Sequence, residues 1–85
     1  VPVTREVMVT DPADVAHATA GLAFPLAVKI VSPDIPHKTE AGGVVLDVRD
    51  PAQLREAVAT VRSNALAYRS DARLDGVLVA EMACG

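Results

Sequence analysis

The sequence has no tryptophan, one phenylalanine (Phe24) and one tyrosine (Tyr68) among its 85 residues. With so few flat rings it offers no stacking platform for single-stranded nucleic acid. Nor is there an excess of positive charge: 8 lysines and arginines stand against 11 acidic residues, giving a formal net charge of −3 and a pI near 5.1. Nucleic-acid surfaces are normally basic, so no nucleic-acid partner is expected. Cysteine is limited to Cys84, which excludes an internal disulfide framework and a thiolate metal cluster. No apolar run approaches the ~20 residues that span a bilayer, and no charged-then-apolar leader opens the chain. The expectation is a cytoplasmic protein without a membrane partner.

Hydrophobic residues are nevertheless 51% of the chain. Much of that total is alanine and valine, which fill a thin core but bury little area each. At roughly 25 cal/mol per Å² of apolar surface, such a core gives modest stability. The length fits one small domain or a piece of one. The chain starts at Val1 and stops at Gly85, just after an apolar run. It is therefore expected to be a single domain over residues 1–85, cut from a longer protein and leaning on a partner lobe.

One stretch organises the rest. Leu26–Val31 reads as a branched, apolar strand that carries a lysine, Lys29. Residues 32–43 form a loop with Pro33, Pro36, His37 and Lys38, closing on Gly42-Gly43. A second strand follows over residues 44–49, with Val44, Leu46 and Val48 on one face. Upstream, residues 1–10 alternate imperfectly, as an edge strand would. Thr10-Asp11-Pro12 then supplies a side-chain cap and a first-turn proline. The helix it opens carries Val15, Thr19 and Leu22 at helical spacing and ends at Phe24-Pro25, because a residue before proline avoids helical geometry. Asp50-Pro51 repeats the signature, and Leu54, Val58, Val61 and Ala65 mark a buried stripe. From Asn64 to Asp75 the chain is polar and irregular once the helix ends, and residues 77–82 form the last strand.

The order strand, helix, strand, strand, helix, strand predicts an α+β fold. Strands joined by a loop too short for a crossover pair antiparallel. Two helices on one face of a small, mostly antiparallel sheet leave the other face free.

Lys29 in an apolar strand costs free energy unless its ammonium finds a partner or reaches water. It either snorkels at a strand edge or supplies a point charge for polyphosphate. Gly42-Gly43 is either a simple turn or a place where backbone amides approach phosphate without a Cβ between. His37 precedes a cation, Lys38, and a near-neutral imidazole can act as nucleophile toward a phosphoryl group. Asp34, His37 and Glu40 are spaced by three, but such triplets are common in loops and no metal site is assigned. Glu81, near the end of the last strand, shares its face with Val77 and Val79. It is either a rim carboxylate or a polar contact at a hinge. His17 and Cys84 read as structural or incidental.

Together, Phe24-Pro25-Leu26-Ala27-Val28-Lys29-Ile30 and the string from Ser32 through His37-Lys38-Thr39-Glu40-Ala41-Gly42-Gly43-Val44 resemble the ATP-grasp domain of the nucleoside-diphosphate-forming acyl-CoA synthetases, of acetate–CoA ligase type. Gly76-Val77-Leu78-Val79-Ala80-Glu81-Met82 resembles the strand leading into that family's hinge. The resemblance implies the smaller, N-terminal lobe of a two-lobed clamp on ATP or ADP. It assigns Lys29 to the phosphates, Gly42-Gly43 to a flexible flap, and Glu81, with the backbone at Met82 and Ala83, to the adenine hinge. Lys38, next to His37, would be a further cofactor-binding cation that offsets the arriving charge. His37 would relay a phosphoryl group between the nucleotide and a histidine of the CoA-ligase part, through an acyl phosphate. The implied partners are the second lobe, with its acidic Mg2+ ligands, and a CoA-ligase domain or subunit. CoA and a small carboxylic acid complete the set. None of these parts has a counterpart here, so the fragment alone is expected to be inactive. A non-catalytic sensing or docking module, or the ATP-grasp-like part of a lysine acetyltransferase, are the alternatives.

Overall fold

The computed structural model describes residues 5–82, apart from the side chain of Pro12. The elements are β1 (Glu6–Val9), a 3-10 turn (Pro12–Asp14), α1 (Val15–Ala18), β2 (Leu26–Val31), β3 (Val44–Val48), α2 (Pro51–Tyr68) and β4 (Gly76–Glu81). The strands form one sheet in the order β1-β4-β2-β3, antiparallel at every pairing. This is the expected α+β architecture.

Register decides which side chains share a face. Val28 lies opposite Val79 and Ile30 opposite Val77, while Val7 and Val9 lie opposite Val79 and Val77 across the other edge of β4. These valines and Ile30 turn toward α2, where Leu54, Ala57, Val58, Val61 and Ala65 complete a buried core. The intervening residues, including Met8, Leu78, Ala80 and Lys29, turn to the opposite, open face, because side chains alternate along a strand. Met8 is 46% exposed there, whereas Val79 is fully buried.

The N-terminus of α2 is capped as its sequence predicts. Asp50 Oδ1 accepts from Gln53 N at 2.8 Å, and Gln53 Oε1 in turn accepts from Arg49 N at 3.0 Å. The first bond satisfies an amide that the first turn leaves without a partner, and the second ties the residue before the cap to the same glutamine. The helix also runs further than the polar composition after Asn64 suggests, to Tyr68. Ala65 is fully buried, so the apolar stripe carries the last turns.

α1 is much shorter than expected. The i,i+4 pattern continues to Leu22, but the helix stops at Ala18. Thr19 Oγ1 donates to Val15 O at 2.6 Å, and the following residues close i,i+3 turns, with Ala20 N to His17 O and Leu22 N to Thr19 O. A threonine bonding back into the preceding turn, followed by a glycine, favours turns over helix. The connection then passes a cis Phe24–Pro25 bond into β2.

β3 departs from simple alternation. Lys29 pairs with Val44 and Val28 with Val45, but Leu26 pairs with Val48, so β3 carries an extra residue. Asp47 takes a φ of 61° at this bulge. Val45 and Val48 both pack on the core as a result, and Leu46 is 59% exposed. The expectation that Val44, Leu46 and Val48 share a face is therefore corrected: one inserted residue shifts the parity of the strand.

Candidate functional site

The sequence places a lysine in the strand and a histidine and lysine in the loop; the fold brings them to one cleft. Lys29, Pro36, His37, Lys38, Thr39, Glu40 and Val44 line an open cleft of about 600 Å³ on the face away from the helices. Lys29 lies between β3 and β4, opposite Val44 on one side and Leu78 on the other. Neither neighbour can neutralise its ammonium, which is half-buried and directed to the cleft. Lys29 and Lys38 supply two positive charges and Glu40 one negative charge, so the lining carries +1 with His37 neutral and +2 with it protonated. No described residue forms an ion pair with either lysine. Two uncompensated ammonium groups around an open hollow suit an anion with several oxygens.

Gly42 and Gly43 do not line this cleft, and their amides are already used. Gly42 N donates to Thr39 O at 3.1 Å and Gly43 N to Lys38 O at 2.7 Å. Their value is steric. Gly42 has a φ of 73°, and a Cβ at Gly43 would run into Ile30 Cγ2. That space lets the loop close against β2, where Ile30 N donates to Gly43 O at 2.7 Å.

The rest of the loop is tethered as well. Ile35 is 1% exposed and acts as an apolar plug. Asn64 Nδ2 donates to Gly42 O at 3.0 Å, Arg73 N to Asp34 Oδ2 at 2.7 Å, and Ser32 Oγ to Arg73 O at 2.5 Å. Asp34 is thus a loop anchor. Among the described residues no group of three His, Cys, Asp or Glu side chains could hold a metal ion. In this structure the loop is tied at both ends and along its length to β2, to α2 and to the segment before β4.

Glu81 stands apart from this cleft. It pairs with Leu26, three residues along β2 from Lys29, or about 10 Å at ~3.3 Å per residue. Its parity with Val77 and Val79 turns the carboxylate to the helix side. There Oε2 accepts from Ala23 N at 2.7 Å and from Arg5 Nη2 at 3.2 Å, and Oε1 accepts from Arg5 N at 3.3 Å. The backbone bonds from Ala23 and Arg5 hold the Glu81 pKa below the usual carboxylate value, more strongly than burial raises it; the Arg5 side chain adds to the lowering. Met82 N donates to Pro25 O at 3.0 Å, so that amide is occupied too. Ala83 lies outside the described residues.

A second hollow, of about 200 Å³, lies on the helix side among Val15, Thr19, Leu22, Phe24, Leu54 and Arg55. Its lining is mostly apolar with a single cation, so it offers an anion less than the charged cleft does. Thr39 and Glu40 are cleft residues that the sequence reading did not assign to the site. Their signal was position alone, directly after His37-Lys38 within one turn.

Residues 1–85 match the ATP-grasp domain family. The chain belongs to that family. This ATP-grasp chain is 33% identical over 84 residues to the 4-hydroxybutyrate–CoA ligase (ADP-forming) of Nitrosopumilus maritimus, a match covering 99% of this chain and 12% of that protein. It is 34% identical over 82 residues to the beta subunit of acetate–CoA ligase (ADP-forming) I of Pyrococcus furiosus, covering 96% of this chain and 35% of that subunit. Among solved structures, the dinucleotide-forming acetyl-coenzyme A synthetase 1 of Ca. Korarchaeum cryptofilum, in complex with coenzyme A, Ca-AMPCP and HgCl+, superposes with a TM-score of 0.90 at 30% identity. That match covers 99% of this chain and 37% of that one. The ATP-grasp chain therefore spans between 12% and 37% of the length of these relatives. No helix among its described residues is long and apolar enough to cross a membrane.

Proposed function

We propose that this chain is the nucleotide-clamping lobe of an ADP-forming acyl-CoA synthetase. The observation that carries the reading is the convergence of Lys29, His37 and Lys38 on one open cleft with no carboxylate paired to either lysine. Lys29 and Lys38 hold the phosphates of ATP, and Thr39 Oγ1 offers a neutral donor beside them. The open sheet face, with Met8, Leu78 and Ala80, lies under the nucleotide. The exit of β4 at Glu81 and Met82, with Ala83, is the base end of the site. Gly42 and Gly43 contribute by letting the loop fold tightly enough to bring His37 and Lys38 over Lys29.

His37 relays the phosphoryl group. Attack by its neutral imidazole on the γ-phosphorus forms a P–N bond and breaks the γ-phosphate bond to ADP, which leaves as an oxyanion held by the lysines. The ring nitrogen that attacks must be unprotonated, and the other keeps its proton. The described residues provide no magnesium ligand set, and the metal's ligands are assigned to a second lobe. A CoA-ligase domain or subunit then receives the phosphoryl group through an acyl phosphate, joining a small carboxylic acid to CoA.

Calorimetric titration of the full natural protein with Mg-ATP tests the reading. Binding is expected, with Lys29→Ala weakening it by at least about tenfold, the equivalent of about 1.4 kcal/mol. Incubation with γ-labelled ATP should leave an acid-labile label that His37→Ala removes. Absence of any heat or thermal shift with ATP would favour a docking module, and unchanged labelling in the variant would refute the relay.

A further inference from the structure

We infer that the Glu81 carboxylate is a clasp, working through Arg5 and Ala23, that positions the β4 exit for the nucleobase without touching the nucleotide. The inference rests on the nucleotide-binding reading above and adds to it a role for Arg5.

The geometry carries it. Both Glu81 oxygens are engaged, by Ala23 N at 2.7 Å, Arg5 Nη2 at 3.2 Å and Arg5 N at 3.3 Å. The Glu81 side chain is only 15% exposed. Its cross-strand partner is Leu26, which is fully buried on the helix side, while Lys29 opens to the other face. To reach a ligand beside Lys29 the carboxylate would have to leave three donors and cross the plane of the sheet. Charge-assisted bonds of this kind are among the strongest a surface offers.

Two of the three donors the carboxylate holds are main chain, Ala23 N and Arg5 N, and the backbone around it is joined further by bonds it does not make itself. Glu81 N donates to Arg5 O at 2.9 Å and Met82 N to Pro25 O at 3.0 Å, while Asp47 N meets Met82 Sδ at 3.1 Å. The approach to β1, the turn into β2 and the bulge of β3 thus all meet the last residues of β4. Glutamine at position 81 would set an NH2 against one of the same donors, loosening this junction without removing any group from the phosphate cleft.

The experiment compares ATP with inorganic tripolyphosphate, which has the phosphates and no base, by calorimetry on the full natural protein. The proteins are wild type, Glu81→Gln, Arg5→Gln, the double variant, and Lys29→Ala as the phosphate-end control. The expected result is that Glu81→Gln weakens ATP binding about tenfold and Arg5→Gln, which leaves the two backbone donors in place, by less. The double variant should go no further than Glu81→Gln alone, since both break one device. Tripolyphosphate affinity should stay within about twofold of wild type in the clasp variants and fall with Lys29→Ala. Retained tripolyphosphate binding also reports that the variants are folded. If the two single losses of ATP affinity multiply in the double variant, Glu81 and Arg5 act separately, Glu81 is a direct ligand and the clasp is refuted. Equal loss of both ligands in the clasp variants refutes it too, in favour of general destabilisation, as does wild-type affinity in all of them. A wild-type protein that binds neither ligand overturns the nucleotide reading itself, an outcome separate from the others.

Discussion

Lys29 and Glu81 are charged residues in neighbouring strands whose fates diverge because of one parity difference. The lysine's face is open, and its ammonium meets no acid among the described residues. The glutamate faces the helix side and is satisfied by Ala23 and Arg5. Its lowered pKa makes it a contributor to folding with a definite pH signature. A carboxyl whose folded pKa lies below its unfolded one adds stability that is complete above the unfolded value, ~4.3, and is lost as pH falls through the folded value. Urea denaturation between neutral pH and about pH 3 should show that loss. Glu81→Gln should lower stability at neutral pH and flatten the acid limb; an unchanged limb would show that the carboxylate is not held in solution as it is here.

At the scale of elements, the cap of α2 and the apolar strands were legible because their causes are local, whereas Thr10-Asp11-Pro12 opens a 3-10 turn and α1 itself starts only at Val15, with no side-chain cap. Asp50-Pro51 caps α2 through its own neighbour Gln53, and Leu26–Val31 is branched and apolar. The length of α1 was not legible, since Thr19 fits the helical spacing and its hydroxyl shares the Val15 carbonyl with its own amide, after which the chain closes i,i+3 turns. The bulge at Asp47 was hidden because an inserted residue leaves the composition of β3 unchanged. For the site, the cluster of Lys29, His37 and Lys38 could be read from their nearness in sequence. The tethers of the loop could not, because Asn64 and Arg73 reach it from α2 and the segment before β4. Glu81 did carry a signal: its shared parity with Val77 and Val79 already put it on the more apolar side of β4. The loop gives a sharp prediction. Gly43→Ala inserts a Cβ against buried Ile30 and should cost about 1–3 kcal/mol, as overpacking does. Asp47→Gly relieves a left-handed backbone worth about 1–2 kcal/mol. It also removes an exposed ion pair to Arg49 worth about 0.2–1 kcal/mol, so its net effect should be small and stabilising. Urea midpoints check both.

Across the whole molecule, the two faces of the sheet have different work. One is closed by α1 and α2 over fully buried Val28, Ile30 and Val79; the other presents Met8 and the cleft to solvent. Stability and ligand binding should therefore separate by face. Val79→Ala, cut from the covered side, should destabilise by about 1–3 kcal/mol. Met8→Gln, on the open side, should stay within about 0.5 kcal/mol of wild type. A melt that drops equally for both would mean that the open face is covered in solution. With a core built from small residues, each such loss is a sizeable part of the total.

The bond from Ile30 to the carbonyl of Gly43 joins the end of the loop to the residue beside Lys29. The end of the loop and the strand that carries the lysine are thereby tied through main chain, so an anion that wedges the loop away from β2 would have to unzip the open end of the β2–β3 ladder.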